Sequence, residues 1–174
     1  MIDFKTIVWL LPIIFMIHDF EEIIFFKSWI EKNKERLSEK FPKLSKRFIG
    51  RFENLSVPAF SVAVAEEFVL LSLVTVLSIM FETYLLWLGI FMGFFIHLLM
   101  HLIQWIAFRK YIPAIYTSLI SLIYCVFSLH YILKNKLFEI NEILIWTFIG
   151  FGIMALNLLF AHKLAELFDK KQKR

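Results

Sequence analysis

The chain has 174 residues, of which 60% are hydrophobic and 18% aromatic against 20% charged, and its mean hydropathy is +0.73. This balance excludes disordered, collagen-like and nucleic-acid-binding classes, and a soluble domain of this size has too little interior to hide so much apolar surface. The formal net charge of +4 does not point to nucleic acid, because the basic residues stand between apolar runs, where membrane topology accounts for them.

Taken in chain order, the apolar runs predict an all-α polytopic membrane bundle, one domain over residues 1–174, with about five spans at 6–26, 57–80, 84–108, 113–133 and 143–160. Each is close to the ~20 residues that cross a bilayer's hydrocarbon. The first run ends in His18-Asp19-Phe20-Glu21-Glu22 rather than in small residues, so it does not read as a cleavable signal peptide. Cys125 is the sole cysteine, which leaves no intramolecular disulfide.

Nine basic residues lie in 27–51, two more are Arg109 and Lys110, and five lie in the tail from Lys163 to Arg174, whereas Lys5, Lys134 and Lys136 fall on the other side. The positive-inside rule then sets the N-terminus outside and the C-terminus in the cytoplasm, with a bacterial cytoplasmic membrane as the expected location. Between the first two spans, Ser28 and Glu31 form a capping-box pattern, and Leu37, Phe41, Leu44 and Phe48 recur at helical spacing before and after Pro42. This predicts an amphipathic cytoplasmic segment over 27–51 that lies on the anionic leaflet.

Five carboxylates, Asp19, Glu21, Glu22, Glu66 and Glu67, and three imidazoles, His18, His97 and His101, fall inside the apolar runs. An acid at the centre of a span costs roughly 2.5 to 3.5 kcal/mol on an insertion scale, so such groups pair, bind ions or do chemistry. His18, Glu21 and Glu22 share one helical face by their i, i+3 and i+4 spacing, as do His97 and His101. Measured at ~1.5 Å per residue from the cytoplasmic ends, the histidines with Glu22 and Glu66 lie at a common depth of roughly 6 to 17 Å.

Imidazole nitrogens with carboxylate oxygens are the donor mixture of zinc, iron or manganese. On this reading His18, Glu21, His97 and His101 are candidate metal ligands for a divalent transition metal, zinc first and iron second. Glu22, Glu66 and Glu67 are the candidate catalytic carboxylates, with one of them activating water. Pro113 is expected to start the fourth helix at the cavity mouth, so Tyr111 and Thr117 are candidate substrate-binding residues. The expected activity is hydrolysis of a lipid or lipid-linked, amphiphilic substrate held in the bilayer. The alternatives are a di-iron lipid oxidase, a proton-coupled transporter, and a structural polar network without catalysis. The oligomeric state is left open.

The motif His18-Asp19-Phe20-Glu21-Glu22 resembles that of the HXXEE-domain family of small integral membrane proteins. A second family motif, Asn-Ala-x-x-His, resembles His97-Leu98-Leu99-Met100-His101, with His97 in the Asn position and Leu98 in the Ala position. A third, Tyr-x-Pro-Gly-x-x-Thr, resembles Tyr111-Ile112-Pro113-Ala114-Ile115-Tyr116-Thr117, with Ala114 in place of Gly. The resemblance implies an integral membrane enzyme without an assigned reaction. It also opens a supporting rather than ligating role for His97, since relatives carry Asn there.

Overall fold

The computed structural model describes residues 3–43, 46 and 55–172. Among them the chain forms five long helices and no strand: α1 Phe4–Lys40, α2 Val57–Phe81, α3 Leu85–Phe108, α4 Ile115–Lys134 and α5 Ile140–Gln172. Four of these, α2 to α5, are long and apolar enough to cross a membrane. The carboxylates that mark α1 as unusual also set it apart from those four, since a long apolar stretch of α1 cannot be chosen without including several charges.

The α1 helix starts at Asp3, whose side chain accepts from the Thr6 backbone N–H, satisfying one of the donors left free in a first turn. It then runs unbroken for 37 residues, past the expected end of the first span. The Ser28 and Glu31 pair is therefore not a helix start. Ser28 Oγ donates back to the Phe25 carbonyl at 3.1 Å, inside α1. Nothing near it breaks the helix, and the Glu, Lys, Arg and Leu that follow favour helix. Pro42 does end α1, because the residue before a proline is pushed out of helical geometry, and Phe41 leaves it with φ −134°.

The apolar positions of this extension face protein. Trp29, Leu37 and Phe41 pack with Phe108, Ile112 and Ile115 at the turn between α3 and α4. Trp29 Nε1 donates to the Tyr111 carbonyl at 2.8 Å. Lys40 Nζ donates to the Ala107 carbonyl at 2.7 Å and the Phe108 carbonyl at 3.3 Å, supplying donors to the end of α3, where the last carbonyls have no backbone N–H partner. Leu44 and Phe48 lie outside the described residues.

The fourth helix begins at Ile115 rather than at Pro113. Ala114 is its N-cap in the left-handed conformation, φ 68°, which cannot continue a right-handed helix. The fifth helix runs beyond residue 160 to Gln172, because Ala161 and Ala165 repeat at i, i+4 and pack on Leu55, Ala59 and Ala63 at the start of α2. Asp169, one turn further, accepts from the Ser56 N–H at 3.3 Å.

The main core lies between all five helices, around Leu11, Phe15, Trp87, Phe91 and Tyr124, with Ile143 contributed by α5. Gly89, Gly93 and Gly150 bring α3 and α5 into backbone contact. Large apolar residues such as Val69, Ile123, Phe148 and Leu156 point outward, as surface in contact with lipid does.

Candidate metal centre

His18, Glu21 and Glu22 follow one another on α1, and His97 and His101 sit one turn apart on α3. Successive residues of a helix turn by ~100°, so the adjacent Glu21 and Glu22 face different neighbours. Glu22 faces α3, where its Oε1 lies 3.3 Å from His101 Nε2. The Nε2 atoms of His97 and His101 are 3.0 Å apart. His18 completes the group from the other side, with ring centroids 5.3 Å from His97 and 5.1 Å from His101. One ligand atom from each of His18, Glu22, His97 and His101 lies within 4.8 Å of every other. Donors around a tetrahedral ion with ~2.0 Å bonds stand about 3.3 Å apart, so the two shortest spacings already suit a shared ion.

The strongest sign of a ligand is in the polar accounting. His18 is fully buried, and its Nε2 has no hydrogen-bond partner. A buried polar atom without a partner is expensive, and this one belongs to a ring turned toward three other donors. His101 Nδ1 and Asp19 Oδ2 are also buried and unpartnered.

Glu21 serves the start of α4 instead. Its Oε1 accepts from Tyr111 Oη at 2.9 Å, and its Oε2 accepts from the Thr117 N–H at 2.8 Å and from Thr117 Oγ1 at 2.7 Å. Both hydroxyls expected to orient substrate are thus engaged by Glu21, and Glu21 itself is outside the four-donor group. Burial, followed by the Glu21 carboxylate, raises the Tyr111 phenol above its ordinary value, so it stays a donor.

On α2, Glu66 and Glu67 diverge. Glu66 Oε2 accepts from Asn157 Nδ2 of α5 at 3.2 Å. Glu67, the next residue on α2, is not one of the four donors that converge. Asp19 is buried at 4% exposure and is not one of the four donors. Sequence reasoning passed over Ser118, whose Oγ is 3.5 Å from His18 Nδ1. Its only signal was its place beside Thr117 in the first turn of α4.

A family model described as a protein of unknown function with HXXEE motif matches residues 9–129. The chain belongs to this family. In this HXXEE chain the match takes in all four elements that supply the donor group and its supports, from His18 through Ser118, and stops short of α5. Ala114, where the resemblance leads one to expect Gly, has the positive φ that glycine adopts without strain. Comparison with curated proteins and with solved structures gives no match.

Proposed function

We propose that this HXXEE protein is an integral membrane metal-dependent hydrolase acting on a lipid or lipid-linked substrate. The observation that carries the reading is the convergence of one ligand atom each from His18, Glu22, His97 and His101 within 4.8 Å, together with a buried His18 Nε2 that has no hydrogen-bond partner. Three nitrogens and one carboxylate oxygen suit zinc first and iron second. A bound ion of this kind polarises an ester or phosphoryl oxygen and acidifies water.

The chain's own groups divide the remaining work. Glu67, an intramembrane carboxylate outside the four donors, is the residue assigned to accept a proton. Asn157 holds Glu66 and keeps that carboxylate toward α5, so Glu66 shapes the cavity rather than reaching the reacting atoms. Tyr111 and Thr117 act through Glu21 and hold α1 against α4.

The amphiphilic substrate follows from where the group lies. The outer faces of the helices around it are apolar, with Ile24, Phe25, Ile103 and Ile106 exposed, and an acyl chain resting in lipid against them would leave a polar bond free to reach the donors. In this reading α1 is the fifth span, and the basic residues put the N-terminus outside and the ends of α1 and α5 in the cytoplasm.

Elemental analysis of detergent-purified protein tests the proposal, alongside assay of ester and phosphoester lipids in mixed micelles. About one zinc per chain, with lipid hydrolysis lost on His18→Ala and His101→Ala, is the expected result. Two irons per chain would replace the hydrolase with an oxidase. A protein that takes up no transition metal after reconstitution overturns the enzyme reading, and proton-coupled flux in liposomes would then identify a carrier.

A further inference from the structure

His18 is held from behind as well as facing the donor group. Its Nδ1 lies 3.5 Å from Thr117 Oγ1 and 3.5 Å from Ser118 Oγ, two hydroxyl oxygens at the outer limit of hydrogen bonding. A neutral imidazole carries one proton, on one nitrogen or the other. At Nε2 that proton would be buried without an acceptor; at Nδ1 it has two oxygens to turn toward.

Thr117 has one hydroxyl proton and several oxygens near it: Glu21 Oε2 at 2.7 Å, the Ala114 carbonyl at 3.2 Å and the His18 carbonyl at 3.3 Å. The short contact to an anionic carboxylate is the strongest of these, so the proton goes to Glu21. That leaves the lone pairs of Oγ1 free to accept from His18. The Thr117 backbone N–H and Tyr111 Oη also donate to Glu21, which fixes the carboxylate and, through it, the direction of the threonine hydroxyl.

We propose that Thr117 is a positioning residue that relays Glu21 to His18, fixing the proton on His18 Nδ1 and leaving the Nε2 lone pair aimed into the donor group, with Ser118 as the second acceptor. The arrangement has the logic of a carboxylate behind a metal-bound histidine, with a threonine hydroxyl placed between the two. No proton is transferred: Glu21 only accepts a hydrogen bond from the Thr117 hydroxyl. The tautomer stands on the hydrogen bonds alone; its consequence for metal affinity rests on the metal centre proposed above.

Imidazole nitrogen-15 spectra of the full-length protein in micelles, without added metal, test the tautomer directly. The wild type is expected to show His18 protonated at Nδ1, Thr117→Val to show the two tautomers mixed, and Thr117→Ser to restore the single one. Zinc affinity against a competing chelator is expected to fall about 10- to 100-fold in Thr117→Val and to recover in Thr117→Ser. Ser118→Ala measures the share of the second acceptor. If Thr117→Val fails to fold, Glu21→Gln provides the same comparison, since it removes the anion that orients the hydroxyl. A wild-type His18 protonated at Nε2, or an Nδ1 tautomer unmoved in the folded variant, overturns the inference. Absence of zinc binding in the wild type with the Nδ1 tautomer present would overturn the metal centre and leave the relay standing.

Discussion

Gly150 of α5 lies against Gly89 of α3 so closely that a Cβ added to Gly150 would overlap the Gly89 carbonyl. Gly93, one turn along α3, lies against the same residue, with its own Cβ position 3.2 Å from the Gly150 carbonyl oxygen. This contact fixes the helix that carries His97 and His101. Gly152, two residues away, has nothing within 4 Å of its Cβ position. Gly150→Ala is therefore expected to cost about 1 to 3 kcal/mol by overpacking. Gly152→Ala is expected to be neutral, or to gain up to about 1 kcal/mol in helix propensity. Unfolding in mixed micelles by titration with a denaturing detergent measures both, and equal losses would show that the close approach is not what matters.

Ala114 allows a second test, in which opposing effects nearly balance. Ala114→Gly relieves about 1 to 2 kcal/mol of left-handed strain. It also exposes the chain to about 0.5 to 1 kcal/mol of lost backbone restriction and gives up about 0.8 kcal/mol for a buried methyl. The expected net change is within about 1 kcal/mol, which is why alanine serves where the family motif has glycine. Ala114→Val, branched at Cβ and forced to positive φ, is expected to lose about 2 kcal/mol or more. The same unfolding titration separates the two, and a tolerated valine would mean that the turn relaxes.

The Tyr111 phenol is raised by burial and by Glu21, and this fixes the sign of a pH effect. With the folded value above the unfolded one, the stabilisation from the Tyr111–Glu21 hydrogen bond is fully present below the ordinary tyrosine value near 10. It is lost as pH rises through the higher folded value. Tyrosinate absorbance at pH 10 should therefore be the same in wild type and Tyr111→Phe, while at neutral pH the variant is less stable. A drop in pH 10 absorbance in Tyr111→Phe would show that the phenol titrates normally.

Glu22 and Glu66 should separate in metal content. Glu22→Gln removes an anionic donor 3.3 Å from His101 Nε2 and is expected to lower zinc affinity about tenfold or more. Glu66→Gln keeps a partner for Asn157 and is expected to retain the metal. Chelator competition on both variants reads the difference, and the reverse order would move the centre toward α2.

The helices, and a polar layer of His18, Glu22, Glu66, His97 and His101, were legible in the sequence because polar residues inside apolar runs have few ways to be satisfied. Helical spacing put them on shared faces, and alternating helix direction put those faces at one depth. The sequence reading nevertheless named Glu21 rather than Glu22 as the carboxylate ligand, and the structure leaves Glu21 and Glu66 out of the four donors. Periodicity does not reveal which neighbour stands on each side of a helix. Tertiary packing decided that Glu22 meets His101 while Glu21 meets Tyr111 and Thr117, a division set by ~100° of rotation between adjacent residues. It also decided that α1 continues to Lys40. The Ser28 pattern is compatible with a cap or with a helix interior, and the choice fell to Trp29, Leu37 and Lys40 finding partners on the α3–α4 turn. Span length and polar spacing are local properties and can be read along the chain; the partner of a given carboxylate depends on residues about 90 positions away, and only the packed bundle brings those together.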